Sequence, residues 1–184
     1  MLVLALAGCA EAGSPQAPVD APVTKSVDAA REMPPPDAAT LACTTSATCM
    51  TATSLGQING DDGGTVSASG TQAAWFSVRA NEDDSGPFAD PMRVLTQLTS
   101  PSAAEMFDLF VYINTGTDAL ECTTPNGTAT TSGASESLEV KWGETNTFAN
   151  GADDSRTVSI EIRPKMGITC SPTAMWQLTI TGGQ

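Results

Sequence analysis

Phe107-Asp108-Leu109-Phe110-Val111-Tyr112-Ile113 decides the fold class. Side chains of an extended chain alternate between faces, so Phe107, Leu109, Val111 and Ile113 share one apolar side. That is the pattern of a strand buried on one face. Three further segments repeat it: Leu138, Val140 and Trp142 alternate with Glu139 and Lys141; Val158, Ile160 and Ile162 with Ser159 and Glu161; Trp176, Leu178 and Ile180 with Gln177 and Thr179. These read as half-buried antiparallel strands. Ala74-Trp75-Phe76-Ser77-Val78 and Arg93 to Leu98 add two more, with weaker candidates at 65–69 and 118–122. About eight short strands, separated by Gly, Asp, Asn and Pro turns, predict an all-β antiparallel sandwich over residues 42–184. Ser102-Ala103-Ala104-Glu105 is the best helical candidate, for a single turn.

Upstream the composition changes. Residues 10–40 hold six of the twelve prolines, including Pro34-Pro35-Pro36, with alanines and scattered charges and almost nothing large to bury. A segment of this kind is expected to be a disordered tether. As a flexible coil of about 31 residues it would span on the order of 30 Å, and more where proline stiffens it.

The first residues, Met1 to Gly8, are short and apolar and end in Leu6-Ala7-Gly8-Cys9. This stretch resembles the lipobox of bacterial lipoproteins. Small residues at Ala7 and Gly8 would let a signal peptidase reach the backbone, and the Cys9 thiol would take the diacylglyceryl group. The resemblance implies a signal peptide over 1–8 and a tether over 9–41 that begins at a lipidated Cys9. No Lys or Arg precedes Cys9, which departs from a secretory leader and points to a start codon further upstream. Two or more acyl chains hold a protein stably on a bilayer. The expected location is therefore the cell envelope, and Ala10, in place of an Asp, leans toward the outer membrane. No apolar run approaches the roughly 20 residues of a spanning helix.

The 184-residue chain carries 21 acidic and 8 basic side chains, a net charge of -13. Such a surface repels phosphate backbones, so nucleic acid is not expected as a partner. Histidine is absent, which removes the commonest general base and the commonest zinc ligand.

The order of motifs in the sandwich resembles the bacterial pre-peptidase C-terminal domain. Gln72 to Val78 looks like that family's aromatic strand, Phe107 to Tyr112 like its central Asp-Leu-x-Val strand, and Trp176 to Gly182 like its closing strand. The first motif lacks the family's usual Asp before the aromatic, where Ala74 stands. The resemblance implies a jelly-roll-like accessory module that binds or positions something and has no active site of its own.

With Cys9 assigned to lipid, Cys43, Cys49, Cys122 and Cys170 form an even set in an oxidising compartment and are expected as two disulfides. Three connectivities can be drawn. Cys43 with Cys49 and Cys122 with Cys170 is the favoured one, the second closing a loop of about 49 residues worth roughly 4 kcal/mol by chain entropy.

Acidic side chains gather at Asn59 to Asp62, at Asn81-Glu82-Asp83-Asp84 with Asp90, and at Asn150 with Asp153-Asp154. Calcium takes about six to eight oxygen ligands. Asn81, Asp83, Ser85, Asp90, Asp153 and Asp154 are therefore the candidate calcium ligands, although Met92 stands where a calcium loop would place its bidentate Glu. Turn initiation by Asp and Asn is the preferred explanation of these clusters, and no other cofactor is expected. Asp108 lies opposite the apolar row of its strand and is expected to be exposed, paired with an Arg such as Arg156, or a ligand.

No Gly-x-Ser-x-Gly or Ser-x-x-Lys motif is present, so the chain is not expected to be an enzyme. A glycoside hydrolase, needing only two carboxylates, is the remote alternative. The expected function is a membrane-tethered binding or spacer module with a protein partner, and the alternative is a calcium-dependent carbohydrate module. For the latter, Trp75 is the candidate ligand platform, because Trp142 and Trp176 fall on buried faces.

Overall fold

The computed structural model describes residues 43–45, 47–83, 85, 90–104, 106–144 and 151–183, all within the compact unit Ala38–Gln184. The leader, Cys9 and the tether lie outside the described residues. A 3-10 turn at Cys49–Thr51 precedes nine strands: β1 (Thr53–Asn59), β2 (Thr65–Gly70), β3 (Ala74–Asn81), β4 (Met92–Thr99), β5 (Phe107–Tyr112), β6 (Gly127–Ala129), β7 (Ser135–Trp142), β8 (Arg156–Pro164) and β9 (Trp176–Gly182). They form a five-stranded sheet, β1-β3-β8-β5-β6, and a four-stranded sheet, β2-β9-β4-β7. Only β1 against β3 is parallel among the described pairings. The two sheets pack as an all-β sandwich. Among the described residues no helix is long and apolar enough to cross a membrane.

The alternating rows enter the space between the sheets. Phe107, Leu109, Val111 and Ile113 are buried, as are Val158, Ile160 and Ile162 from the neighbouring strand. The four-stranded sheet answers with Val94, Leu98, Val140, Leu178 and Ile180. Trp176 is 1% exposed at the centre, with Phe76 and Phe107 edge-on to its ring at 5.9 and 6.5 Å between centroids. Its indole N–H donates to Gln72 O at 2.9 Å, and that of buried Trp142 donates to Asp154 O at 2.7 Å. Each tryptophan therefore buries its ring without stranding a donor.

Three details differ from the expectation. Residues 118–122 form no strand; Asp118 is instead ion-paired to Arg79, pinning this segment of the β5–β6 connection. β1 and β6 are additional strands. In β1 only Ile58 is buried and the register shifts between Ser54 and Gln57, so no period of two is visible there. The C-terminal end of β9 packs so closely on the β1–β2 turn that a Cβ at Gly182 would stand 1.8 Å from Asn59 O. Only glycine fits at that contact.

The cysteines form two disulfides with a pairing other than the favoured one. Cys43 joins Cys170 and Cys49 joins Cys122, across 127 and 73 residues of sequence. Cys43 and Cys49 are each held by a different loop, β8–β9 for the first and β5–β6 for the second. Proximity in sequence was the wrong guide, because the fold brings distant loops to this segment. The β5–β6 loop is shaped by Glu121, whose Oε1 accepts from the amides of Cys122, Thr123 and Thr124 and from the Thr123 hydroxyl. These bonds lower its carboxyl to about 2, the Thr123 hydroxyl contributing most.

Candidate functional site

The outer face of the five-stranded sheet carries the candidate platform. Trp75 on β3 and Phe110 on β5 both stand opposite Glu161 on the intervening β8. Trp75 packs against Tyr112, centroids 5.2 Å apart and planes tilted by 31°. The Tyr112 hydroxyl donates to Glu161 Oε2 at 2.7 Å. Burial, reinforced by that carboxylate, pushes the phenol up to about 12. Arg163 grips Glu161 through Nε at 3.0 Å and Nη2 at 2.6 Å and lies 4.2 Å over the Phe110 ring. One aromatic face is thus covered by another ring and one by a guanidinium. Trp75, on the face opposite Phe76, is half-buried and packed within this cluster, not standing free as a lone platform.

The outer face of the four-stranded sheet is chemically different. Its register aligns Ser69, Gln177, Thr99 and Ser135 in one row across the strands. The next row is Ser67, Thr179, Gln97 and Ser137. A third begins with Thr65 and Thr181, whose hydroxyls lie 3.3 Å apart, and continues through Leu95 to Glu139. Glu139 is ion-paired to both Arg93 and Lys141 at 2.8 Å, and its carboxyl is lowered chiefly by the Lys141 hydrogen bond.

The three acidic turns, separate in sequence, are linked by hydrogen bonds. Gly60 N donates to Asn81 O, Asp83 N to Asp61 Oδ2, and Glu82 N to Ser155 Oγ. Here Glu82, Glu144 and Asp154 bring carboxylate oxygens within 4.8 Å of one another. Asp154 N donates to Glu82 Oε2, Gly151 N to Glu144 Oε1, and Arg156 Nη2 to Asp154 Oδ1 at 3.1 Å. Burial, with Glu144 nearby, raises the Asp154 carboxyl above its ordinary value. Glu144 Oε2 is buried with no hydrogen-bond partner.

Of the candidate calcium ligands, only Asp154 belongs to this group. Asn81 donates to Gln57 at 3.2 Å, Asp83 caps the Ser85 amide at 2.9 Å, Asp153 caps the Ser155 amide at 2.8 Å, and Asp90 is exposed. Glu82 belongs to the acidic run Asn81-Glu82-Asp83-Asp84, whereas Glu144 is an isolated carboxylate after β7 with no signal in the sequence to mark it. Asp108 pairs with Lys165 at 3.4 Å, not with Arg156. Lys165 also reaches the buried Glu136 at 3.3 Å, whose carboxylate accepts from the Thr131 amide and hydroxyl.

No family model matches the sequence and no curated protein matches it. Among solved structures the chain is similar to the pre-peptidase C-terminal domain of collagenase from Bacillus anthracis, at 8% identity and a TM-score of 0.39, covering 70% of this chain and 93% of that one. At this identity and score the likeness carries no functional argument.

Proposed function

We propose that the chain is an envelope lipoprotein, anchored through Cys9, whose β-sandwich is a non-catalytic module that binds a protein partner on its five-stranded sheet. The observation that carries this reading is the Trp75, Phe110 and Arg163 cluster on one outer face, backed by the buried Tyr112. Trp, Tyr and Arg supply most of the energy of protein interfaces, and they do so best when their rotamers are already fixed. Here ring stacking and the Glu161 pair fix them before any partner arrives. Two disulfides agree with an exported chain.

A photo-crosslinking side chain at Arg163 in the full chain tests the reading in the envelope. One protein adduct is expected, lost on Trp75→Ala while the variant still folds. An adduct that persists in Trp75→Ala, or a variant that unfolds, overturns the role of this face. Loss of acyl labelling in Cys9→Ser tests the anchor separately.

One observation favours a second reading, in which calcium joins the Glu82, Glu144 and Asp154 carboxylates. Glu144 Oε2 is buried with no hydrogen-bond partner, and carboxylate oxygens of Glu82, Glu144 and Asp154 lie within 4.8 Å of one another. Oxygen-only donors suit a hard cation. Calcium there would be structural, joining β7 to the turns that follow β3 and precede β8.

A further inference from the structure

The four-stranded sheet presents a face of another kind. We infer that it is a docking surface for a neutral polysaccharide, independent of the Trp75 face. Two complete rows across its four strands hold only serine, threonine and glutamine, nearly all exposed, although the chain carries a net charge of -13. No carboxylate stands in either row. The one carboxylate beside them, Glu139, is neutralised by Arg93 and Lys141.

The chemistry selects the occupant. A hydroxyl both donates and accepts, as a sugar hydroxyl does, and serine and threonine have little rotamer freedom to lose on binding. The pairing has no register shift across β2, β9, β4 and β7, so these groups repeat at about 4.8 Å between strands and about 6.8 Å along them. A polymer of one repeated sugar would meet a neutral hydroxyl or amide on each successive strand. Neutral hydroxyls cost less to dehydrate than carboxylates, so an uncharged polymer is favoured here over every acidic part of the surface. A protein partner fits poorly, because these rows contain no Trp, Tyr or Arg and serine and threonine seldom anchor protein interfaces. An anionic polymer is repelled by the molecule as a whole.

Affinity electrophoresis of the full chain tests the inference. The gels contain hydroxyethyl cellulose, laminarin or dextran, with hyaluronate as a charged control, and mobility is referred to a polysaccharide-free gel. Retardation is expected in at least one neutral gel. Gln97→Glu, which places one carboxylate in the middle of the array at nearly constant shape, is expected to weaken it at least tenfold, while Trp75→Ala leaves it unchanged. Free migration in all three neutral gels overturns the inference. So does retardation by hyaluronate alone, or a folded Gln97→Glu chain retarded as strongly as the parent.

Discussion

Cys43 is bonded to Cys170, 127 residues downstream, with 5.1 Å between their Cα atoms. This bond encloses the chain from the segment before β1 to the loop before β9, and the Cys49 to Cys122 bond lies inside it. Most of the unfolded chain is therefore cross-linked. Replacing both Cys43 and Cys170 by Ser is expected to cost about 3 kcal/mol, since chain entropy predicts somewhat more and long loops often deliver less. Urea denaturation under non-reducing conditions measures this; an unchanged midpoint would leave the bond without a stabilising role.

Glu121 offers a test by titration. Four donors converge on Oε1, so its carboxyl titrates near 2 against an ordinary 4.5. A depressed folded value means that the native state holds the proton less tightly than the unfolded chain. The stabilisation is present above about 4.5 and fades as pH falls toward 2. Carboxyl NMR shifts should show a midpoint near 2 that rises in Thr123→Ala.

Tyr112 is the only tyrosine in the chain, so phenolate absorbance reports it alone. Its midpoint is expected near 12, because burial and then the Glu161 carboxylate both oppose ionisation. The folded chain here holds the proton more tightly than the unfolded chain. Stability is therefore complete below about 10 and falls as pH climbs toward 12. Glu161→Gln should lower the midpoint; if it does not, the hydrogen bond is not what holds the ring against Trp75.

Calcium should raise the melting temperature by several degrees if the Glu82, Glu144 and Asp154 group binds it, because a ligand held only by the folded chain stabilises by mass action. Glu144→Gln should remove that rise while the chain remains folded in chelator. Identical melts in calcium and chelator would leave these carboxylates as structural caps. Asp90→Ala, outside the group, should not alter the response.

The fold was legible wherever a strand had one buried and one exposed face. The β5, β7, β8 and β9 rows could be assigned to the core residue by residue, and so could the inward placement of Trp142 and Trp176. β1 escaped because its edge position buries Ile58 alone, and β6 because three residues hold no period. The disulfide pairing and the Glu82, Glu144, Asp154 group depend on which loops meet. Strand order sets that, and alternation does not encode it. The two outer faces fall between these cases: each strand names its outward residues, but the rows exist only once the strands are laid side by side.

Each sulfur bridge has one end before β1, at Cys43 and at Cys49. A pull on the chain upstream of Cys43 enters the sandwich at Cys170 through a covalent link. β1 is an edge strand held along one side by parallel pairing to β3, the arrangement most easily peeled from its end. Tension routed through Cys170 bypasses it, so the strand that would unzip first is shielded from the load. The load is thereby taken near the loop that leads into β9, a strand paired on both sides.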